Sequence, residues 1–384
     1  MPVYLDHNAT TPLDPRVLEA MLPFLGNEFG NPSSVHQYGR AARAALDTAR
    51  EQVAALVNAQ PSQVIFTSGG TEANNIALLG CSAMLPVGRI AISAVEHDSV
   101  RAPAKRLEGH GWSVDRIAVD HAGRVNKDTL QAALHADTRL VSIMLANNES
   151  GVVQDIAVLA ETVRCAGAIV HTDAVQAVGK LAVDFQASNV QLMSLSGHKI
   201  YGPKGIGALI IDKALEVQSL VCGGGQEKAL RPGTENVSGI VGLGAAAQIA
   251  QDEMLGHAAI HSKLRHYLET SLREFHGLVI FAADAERVPN TVQFSVPGID
   301  GEALLLQLDR AGFAVSSGSA CAAGNHAPSH VLTAMGVPPD LARGALRISL
   351  GRGTTQAQLD AFCQALHSAI GTLSSGAVRA AAGL

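Results

Sequence analysis

The stretch VQLMSLSGHKIYGPKGIGALII (residues 190–211) joins two strand-like runs through a polar, glycine-containing turn. VQLMSLS and GIGALII are rich in the large apolar residues that fill buried strands. The turn carries Lys199 beside His198, and an ammonium group at the end of a buried strand is costly unless it is paired or neutral. Two interpretations stay open from this stretch alone: a structural cation that extends to solvent, or a chemically reactive amine.

Outward from this turn, short β-rich runs alternate with helical patterns from about residue 40 to residue 255. Further strand-like runs are QVIFT (63–67), RIAIS (89–93), SVDRIAV (113–119), RLVSIML (139–145) and AIVHTD (168–173). Stretches between them, such as AARAALDTAREQVAALV, place apolar residues at helical spacing. The alternation predicts an α/β fold in which helices cover both faces of a mainly parallel sheet.

The pattern changes after a long helical stretch at residues 237–275. TVQFSV, EALLLQLDRAG and ALRISL then indicate strands and helices of a smaller α+β unit. A chain of 384 residues is long enough for two domains. We expect an N-terminal arm (1–15) that packs toward the small domain, a large domain (16–258) and a small C-terminal domain (259–384).

Composition and charge exclude several classes of function. The chain is 47% hydrophobic and 16% charged, with a net charge of -6, and it has no patch dense in Lys and Arg, so no nucleic-acid partner is expected. It has no N-terminal leader pattern and no apolar window of about 18 residues, so we expect a cytoplasmic protein without a membrane segment. The five cysteines are widely spaced and form no CxxC pair, which argues against a disulfide framework or a structural zinc site.

Polar residues follow the ends of several predicted strands, where open α/β sheets bind ligands. FTSGGTEANN places a glycine turn before a helix, which suits a phosphate group, although Thr71 could equally be a simple N-cap. His97 follows RIAIS and could stack on a planar ring or be structural. Asn148 follows RLVSIML, where an amide can contact a ligand or form a turn.

The end of AIVHTD adds a carboxylate and an amide. Asp173 ends this run and Gln176 lies three residues later. A buried carboxylate needs a partner, and a protonated ring nitrogen would serve, although Asp173 could instead cap a helix. A phosphate-type turn, His97, Asp173 and Lys199 thus occur in order at successive strand ends. Together they predict a pyridoxal phosphate site in which Lys199 forms a Schiff base.

Cys321 differs from the other cysteines in its surroundings. It lies in the small-residue segment VSSGSACAAGNHAPSH, whereas Cys81, Cys165 and Cys363 have the context of inert buried thiols. A loop of small residues can carry a thiolate to a substrate and away again. Cys321 is therefore the predicted nucleophile.

The combined motifs resemble those of the NifS/IscS-type cysteine desulfurases, fold-type I pyridoxal phosphate enzymes of the class V aminotransferase group. The resemblance runs in order from position 4 to about 372, through YLDHNATTP, FGNPSSVHQYGR, FTSGGTEANN, ANNESGVVQDI, HTDAVQAVGK, SLSGHKIYGPKGIGAL, RPGTEN, SSGSAC, PSHVLTAMG and LRISLGR. The segment after Cys321, AAGNHAPS, departs from the pattern common among relatives while keeping its length.

This resemblance implies a reaction and a set of residue roles. L-cysteine would be converted to L-alanine, with Lys199 binding the cofactor and removing the Cα proton and the Cys321 thiolate taking the sulfur as a persulfide. His97 would stack on the cofactor ring and is the candidate for deprotonating the substrate thiol. Arg347, with Asn148, would hold the substrate carboxylate. The remaining cofactor contacts would be Thr71, Asn148, Asp173, Gln176, Ser196, His198 and, from the second subunit of a homodimer, Thr234.

Two related activities stay open from the sequence. Another class V aminotransferase or lyase would share Lys199, Asp173 and His97 without requiring Cys321, and a selenocysteine lyase would share the cysteine as well. The sulfur acceptor is also open, with an iron–sulfur scaffold protein one of the candidates.

Overall fold

The computed structural model describes residues 2–317 and 328–381, with the backbone alone for 375–381. Its strands are β1 (Val3–Tyr4), β2 (Val64–Thr67), β3 (Arg89–Ser93), β4 (Ser113–Ile117), β5 (Thr138–Ser142), β6 (Ile169–Asp173), β7 (Leu192–Ser196), β8 (Gly207–Ile211), β9 (Val279–Ile280), β10 (Thr291–Ser295), β11 (Phe313–Ala314), β12 (Ser316–Ser317) and β13 (Ala345–Ser349). Its α-helices are α1 (Pro15–Leu25), α2 (Gln37–Leu56), α3 (Gly70–Asn75), α4 (Asp98–Glu108), α5 (Lys127–Ala133), α6 (Ile156–Cys165), α7 (Val237–Arg273), α8 (Gly301–Arg310), α9 (His330–Ala334), α10 (Pro339–Arg343) and α11 (Gln356–Ala381).

A seven-stranded sheet forms the centre of the larger part of the chain. Its strand order is β2-β8-β7-β6-β5-β3-β4, and only β8 runs antiparallel to its neighbours. All seven strands predicted from residues 63 to 211 are present. Their side chains are mostly buried on both faces because helices cover the sheet on each side, as expected for a mainly parallel sheet.

Small residues let two long helices pack closely over one face of this sheet. In α2, Ala42, Leu46, Ala49 and Val53 are fully buried at helical spacing. A side chain at Gly244 of α7 would meet the Ala49 Cα at 2.6 Å, so the glycine permits the close approach of the two helices. Any larger residue at 244 would push α7 away from α2.

A second hydrophobic core lies in the C-terminal part of the chain. The four-stranded antiparallel sheet β12-β13-β10-β9 packs there against α8, α11 and the end of α7, around buried Phe294 and Phe362. Strand β1 of the N-terminal segment pairs in parallel with β11. Because α7 continues without a break through residue 258, the division of the chain at that residue stays a prediction.

The loops that follow β2, β3, β5, β6 and β7 open at one edge of the large sheet. The residues predicted to follow those strands lie in these loops, which brings distant parts of the sequence together. Among the described helices, none is long and apolar enough to span a membrane.

Candidate active site

A cavity of about 380 Å³ lies at this edge of the sheet. Its volume falls in the range of small-molecule sites. Nine residues predicted from the sequence line it: Thr71, His97, Asn148, Asp173, Gln176, Ser196, His198, Lys199 and Arg347. The other lining residues are Asn8, Ala9, Gly70, Asn74, Ser99, Met144 and Val175.

Lys199 lies in a short 3-10 turn (Gly197–Lys199) directly after β7. Its Nζ donates hydrogen bonds to the backbone oxygens of Asn8 at 2.5 Å and Ala9 at 2.7 Å. The amine is therefore held at the cavity by the N-terminal segment. The assignment of Lys199 as a reactive amine stays a prediction.

Asp173 is buried at the end of β6 and is held by hydrogen-bond donors. Its Oδ1 accepts from the backbone N–H of Val175 at 3.0 Å, and its Oδ2 accepts from Asn74 Nδ2 at 2.7 Å. Asn74 Nδ2 also donates to Ser99 Oγ at 2.8 Å, and Ser99 Oγ lies 2.8 Å from His97 Nδ1. A continuous hydrogen-bond chain thus joins His97 to Asp173.

Gln176 and the half-buried Lys180 meet at Asn8. Gln176 Nε2 donates to the Asn8 backbone oxygen at 2.9 Å, and Lys180 Nζ donates to Gln176 Oε1 at 2.7 Å and to Asn8 Oδ1 at 2.8 Å. Burial lowers the pKa of Lys180 well below its ordinary value, and the nearby cations Lys199 and Arg347 lower it further.

Hydroxyl and imidazole groups line another part of the cavity. Thr71 and Ser196 lie there with His198, whose Nδ1 is 3.1 Å from Thr10 Oγ1. Burial lowers the pKa of His198 to about 4, and Lys199 contributes to the shift. A side chain at Gly70 would lie 2.8 Å from Val175 Cγ2, so the glycine keeps this part of the cavity open.

Arg347 is almost fully buried in β13 and faces the same cavity. It donates to the backbone oxygen of Asn148 at 2.9 Å and to Asp6 Oδ1 at 2.6 Å. The neighbouring Asn147 instead forms the turn, since its Oδ1 accepts from the backbone N–H groups of Glu149 and Ser150. Of the two amides, Asn148 is the one that lines the cavity.

Thr234 and Cys321 complete the set of predicted site residues. Thr234 is exposed in the loop before α7 and is not among the lining residues. Cys321 lies outside the described residues. Among residues 2–317 and 328–381, no three His, Cys, Asp or Glu side chains form a group that could bind a metal ion.

The Aminotransferase class-V family model matches residues 3–362 of this chain. A protein named cysteine desulfurase from Cereibacter sphaeroides is 47% identical over 370 residues, which cover 95% of this chain and 94% of that protein. A cysteine desulfurase from Trichormus azollae is 44% identical over 360 residues, or 93% of this chain and 90% of the relative. This chain belongs to the cysteine desulfurases of the class V aminotransferase family.

Solved structures of the family confirm the predicted fold. A NifS-like protein superposes with a TM-score of 0.91 at 37% identity, covering 97% of this chain and 100% of the other. A NifS-like protein from Rickettsia africae gives a TM-score of 0.87 at 34% identity, covering 96% and 99% of the two chains. The desulfurase thus has the pyridoxal phosphate fold type I, and membership of the family implies use of that cofactor.

The donor set of the cavity fits pyridoxal phosphate. An amine, a buried carboxylate and a group of hydroxyl and imidazole side chains suit an aldehyde, a ring nitrogen and a phosphate respectively. The Oδ1 atom of the buried Asn74 also has no hydrogen-bond partner within the protein. Such an unsatisfied polar atom on the cavity wall is expected where a ligand completes the site.

Sequence reasoning missed four residues that organise this site. Asn74 lies one helical turn after Thr71, so the spacing itself could have placed the two on one face. Ser99 follows His97 by two residues, as expected for a partner of an N-cap. Lys180 lies four residues after Gln176, which it contacts. Asn8 carried no such local signal, because its contacts with Gln176 and Lys180 join segments more than 160 residues apart.

Proposed function

We propose that this protein is a pyridoxal phosphate-dependent cysteine desulfurase that converts L-cysteine to L-alanine and transfers the sulfur to Cys321. The observation that carries the proposal is the meeting of Lys199, Asp173 and Arg347 in one cavity. An amine, an acceptor for a ring nitrogen and a carboxylate-binding guanidinium are the groups that this reaction requires. The names of the relatives support the choice of cysteine as substrate.

Nine side chains would hold the cofactor in this proposal. When bound, pyridoxal phosphate supplies an electron sink for the negative charge that develops at the substrate Cα. Lys199 would form the covalent link, Asp173 would face the ring nitrogen, and Gln176 the ring oxygen. The other contacts would be Thr71, His97, Asn148, Ser196, His198 and the Thr234 of a second subunit.

Arg347 binds and orients the substrate. A planar guanidinium can donate two parallel hydrogen bonds to a carboxylate, which fixes both position and direction. Two of its five N–H groups bind Asn148 and Asp6, and its Nε has no partner within the protein, so donors for a paired contact with the substrate remain. Asn148, whose backbone oxygen accepts from Arg347, lies beside it.

Lys199 and Cys321 carry the bond changes. The Lys199 amine takes the proton from the substrate Cα. The Cys321 thiolate then forms an S–S bond with the substrate sulfur as the bond from that sulfur to Cβ breaks. The electron pair left on Cβ takes a proton, Lys199 returns a proton to Cα, and the three-carbon product leaves as alanine.

Assembly and partners complete the proposal. The exposed position of Thr234, away from its own cavity, supports a homodimer in which this residue reaches the partner's site. The persulfide is then delivered to a sulfur-acceptor protein, such as an iron–sulfur scaffold, in the cytoplasm.

Incubation with L-cysteine tests this function. We expect alanine and reducible sulfur in equal amounts, and one added sulfur on Cys321 by mass spectrometry. Cys321→Ala should abolish sulfur release and leave the cofactor bound, whereas Cys165→Ala should behave as wild type. Cys165 is exposed, so the prediction that it is a buried thiol is wrong, but it is remote from the site motifs. Release of sulfur by Cys321→Ala at the wild-type rate would contradict the proposal and favour a lyase. Selenocysteine should be compared in the same assay.

A further inference from the structure

One ring nitrogen of His97 lies within hydrogen-bond distance of two groups of Ser99. It is the N-cap of α4, and its Nδ1 accepts from the backbone N–H of Ser99 at 3.1 Å. A backbone N–H can only donate, so Nδ1 must present a lone pair to it. The 2.8 Å contact between Nδ1 and Ser99 Oγ brings a second polar group to the same atom.

The neighbouring hydrogen bonds decide which way the Ser99 hydroxyl points. Asn74 Nδ2 donates one hydrogen to Asp173 Oδ2 at 2.7 Å and the other to Ser99 Oγ at 2.8 Å. The reverse orientation of the amide would set its oxygen against the carboxylate. Ser99 Oγ therefore accepts from Asn74, and its own hydrogen is available for His97 Nδ1. Asp173 thus orients the hydroxyl through Asn74.

We infer that the Asp173–Asn74–Ser99 chain fixes neutral His97 as the Nε2–H tautomer, so that this residue meets the substrate sulfur as a hydrogen-bond donor and not as a base. Accepting a proton at Nε2 would require the ring's other hydrogen to sit on Nδ1, directly against the Ser99 N–H. Ser99 and Asn74 are positioning residues for this tautomer. The role toward sulfur rests on the proposed function, whereas the tautomer itself does not.

A donor at Nε2 stabilises the substrate as its thiolate. The thiol proton leaves to water, and the neutral ring keeps its own hydrogen and shares it with the sulfur. A hydrogen bond to a charged group is stronger than one to a neutral group, so the thiolate is favoured over the thiol. This role replaces the deprotonation of the thiol that the family resemblance implies for His97.

Nuclear magnetic resonance tests the tautomer without requiring turnover. The chain contains 15 histidines, and the His97 signals in protein with ¹⁵N-labelled histidine are identified by their loss in His97→Gln. In the neutral ring we expect the hydrogen on Nε2 and an unprotonated Nδ1. A ring with its hydrogen mainly on Nδ1 would overturn the inference.

Two variants test the donor role. Glutamine keeps an N–H donor near the position of Nε2 but cannot act as a base, whereas His97→Phe keeps an aromatic ring without a donor. At saturating cofactor, we expect kcat of His97→Gln to exceed that of His97→Phe by about tenfold or more, as for a hydrogen bond to a charged group.

If kcat instead falls by the same factor of about 10² to 10⁴ in both variants, His97 acts as a general base and the donor role is refuted. If the wild-type protein forms no alanine from L-cysteine, the proposed function fails. The tautomer measurement still decides the inference about His97 in that case.

Discussion

We expect the hydrogen bonds of the Asn8 side chain to stabilise the folded protein by about 4 kcal/mol. Its side chain is buried and forms four hydrogen bonds: to the backbone oxygen of Asn148 at 3.2 Å, to Thr291 Oγ1 at 2.8 Å, and from Lys180 Nζ at 2.8 Å and Asn290 Nδ2 at 3.2 Å. At about 1 kcal/mol for each hydrogen bond, Asn8→Ala should lower the free energy of unfolding by about 4 kcal/mol.

Urea denaturation measures this change. With a slope of about 3 kcal/mol per molar urea, the midpoint should fall by about 1.3 M. Fluorescence of Trp112, the single tryptophan, and far-UV circular dichroism should give the same transition if unfolding is two-state. The control is Asn31→Ala, an exposed asparagine with one hydrogen bond to the Ser33 N–H, which should shift stability by less than about 1 kcal/mol. Equal midpoints for the two variants would refute the importance assigned to Asn8.

Three further predictions follow from single residues. Arg347→Lys should raise KM for L-cysteine about 10- to 100-fold, because lysine cannot form the paired hydrogen bonds to the carboxylate; an unchanged KM, measured by alanine formation, would count against this role. Ala229 lies in an exposed loop with a φ of 61°, a left-handed conformation that is strained for alanine and unstrained for glycine. Ala229→Gly should therefore raise the free energy of unfolding by about 0.5–1 kcal/mol, and a lower unfolding midpoint would contradict this. Burial raises the pKa of Glu149 from 4.5 to about 7, so its contribution to stability is present below about pH 4.5 and is lost as the pH rises through about 7. Between about pH 5 and pH 8, the free energy of unfolding of the wild-type protein should therefore fall by up to about 3 kcal/mol relative to that of Glu149→Gln. Urea unfolding at each pH measures this difference.

The sequence predicted those features that depend on local pattern. Most strands of the large sheet carry buried apolar residues, with the edge strand β4 as the exception, and the ends of β2, β3, β5, β6 and β7 meet at one edge. The neighbourhood of His97, Asp173 and Lys199 could therefore be predicted before the structure was known. Strand β9, with two residues, and helix α10, with five, are too short to show a period and were not predicted.

The interactions that position the reactive groups depend on contacts distant in sequence. The Asn8 side chain contacts Asn148, which follows β5 of the large sheet, and Thr291, which lies in β10 of the four-stranded sheet. The backbone oxygen of Asn8 accepts a hydrogen bond from Lys199. No local pattern indicates such partners. The tautomer of His97 likewise depends on Asn74, which reaches Ser99 from another helix.

The most direct test of the account concerns the bond at Lys199. The purified protein would be treated with borohydride, digested and analysed by mass spectrometry. We predict a yellow protein in which reduction fixes a pyridoxyl phosphate group to the peptide that contains Lys199. Recovery of that peptide unmodified, from protein saturated with pyridoxal phosphate, would contradict the assignment of this cavity and the function built on it.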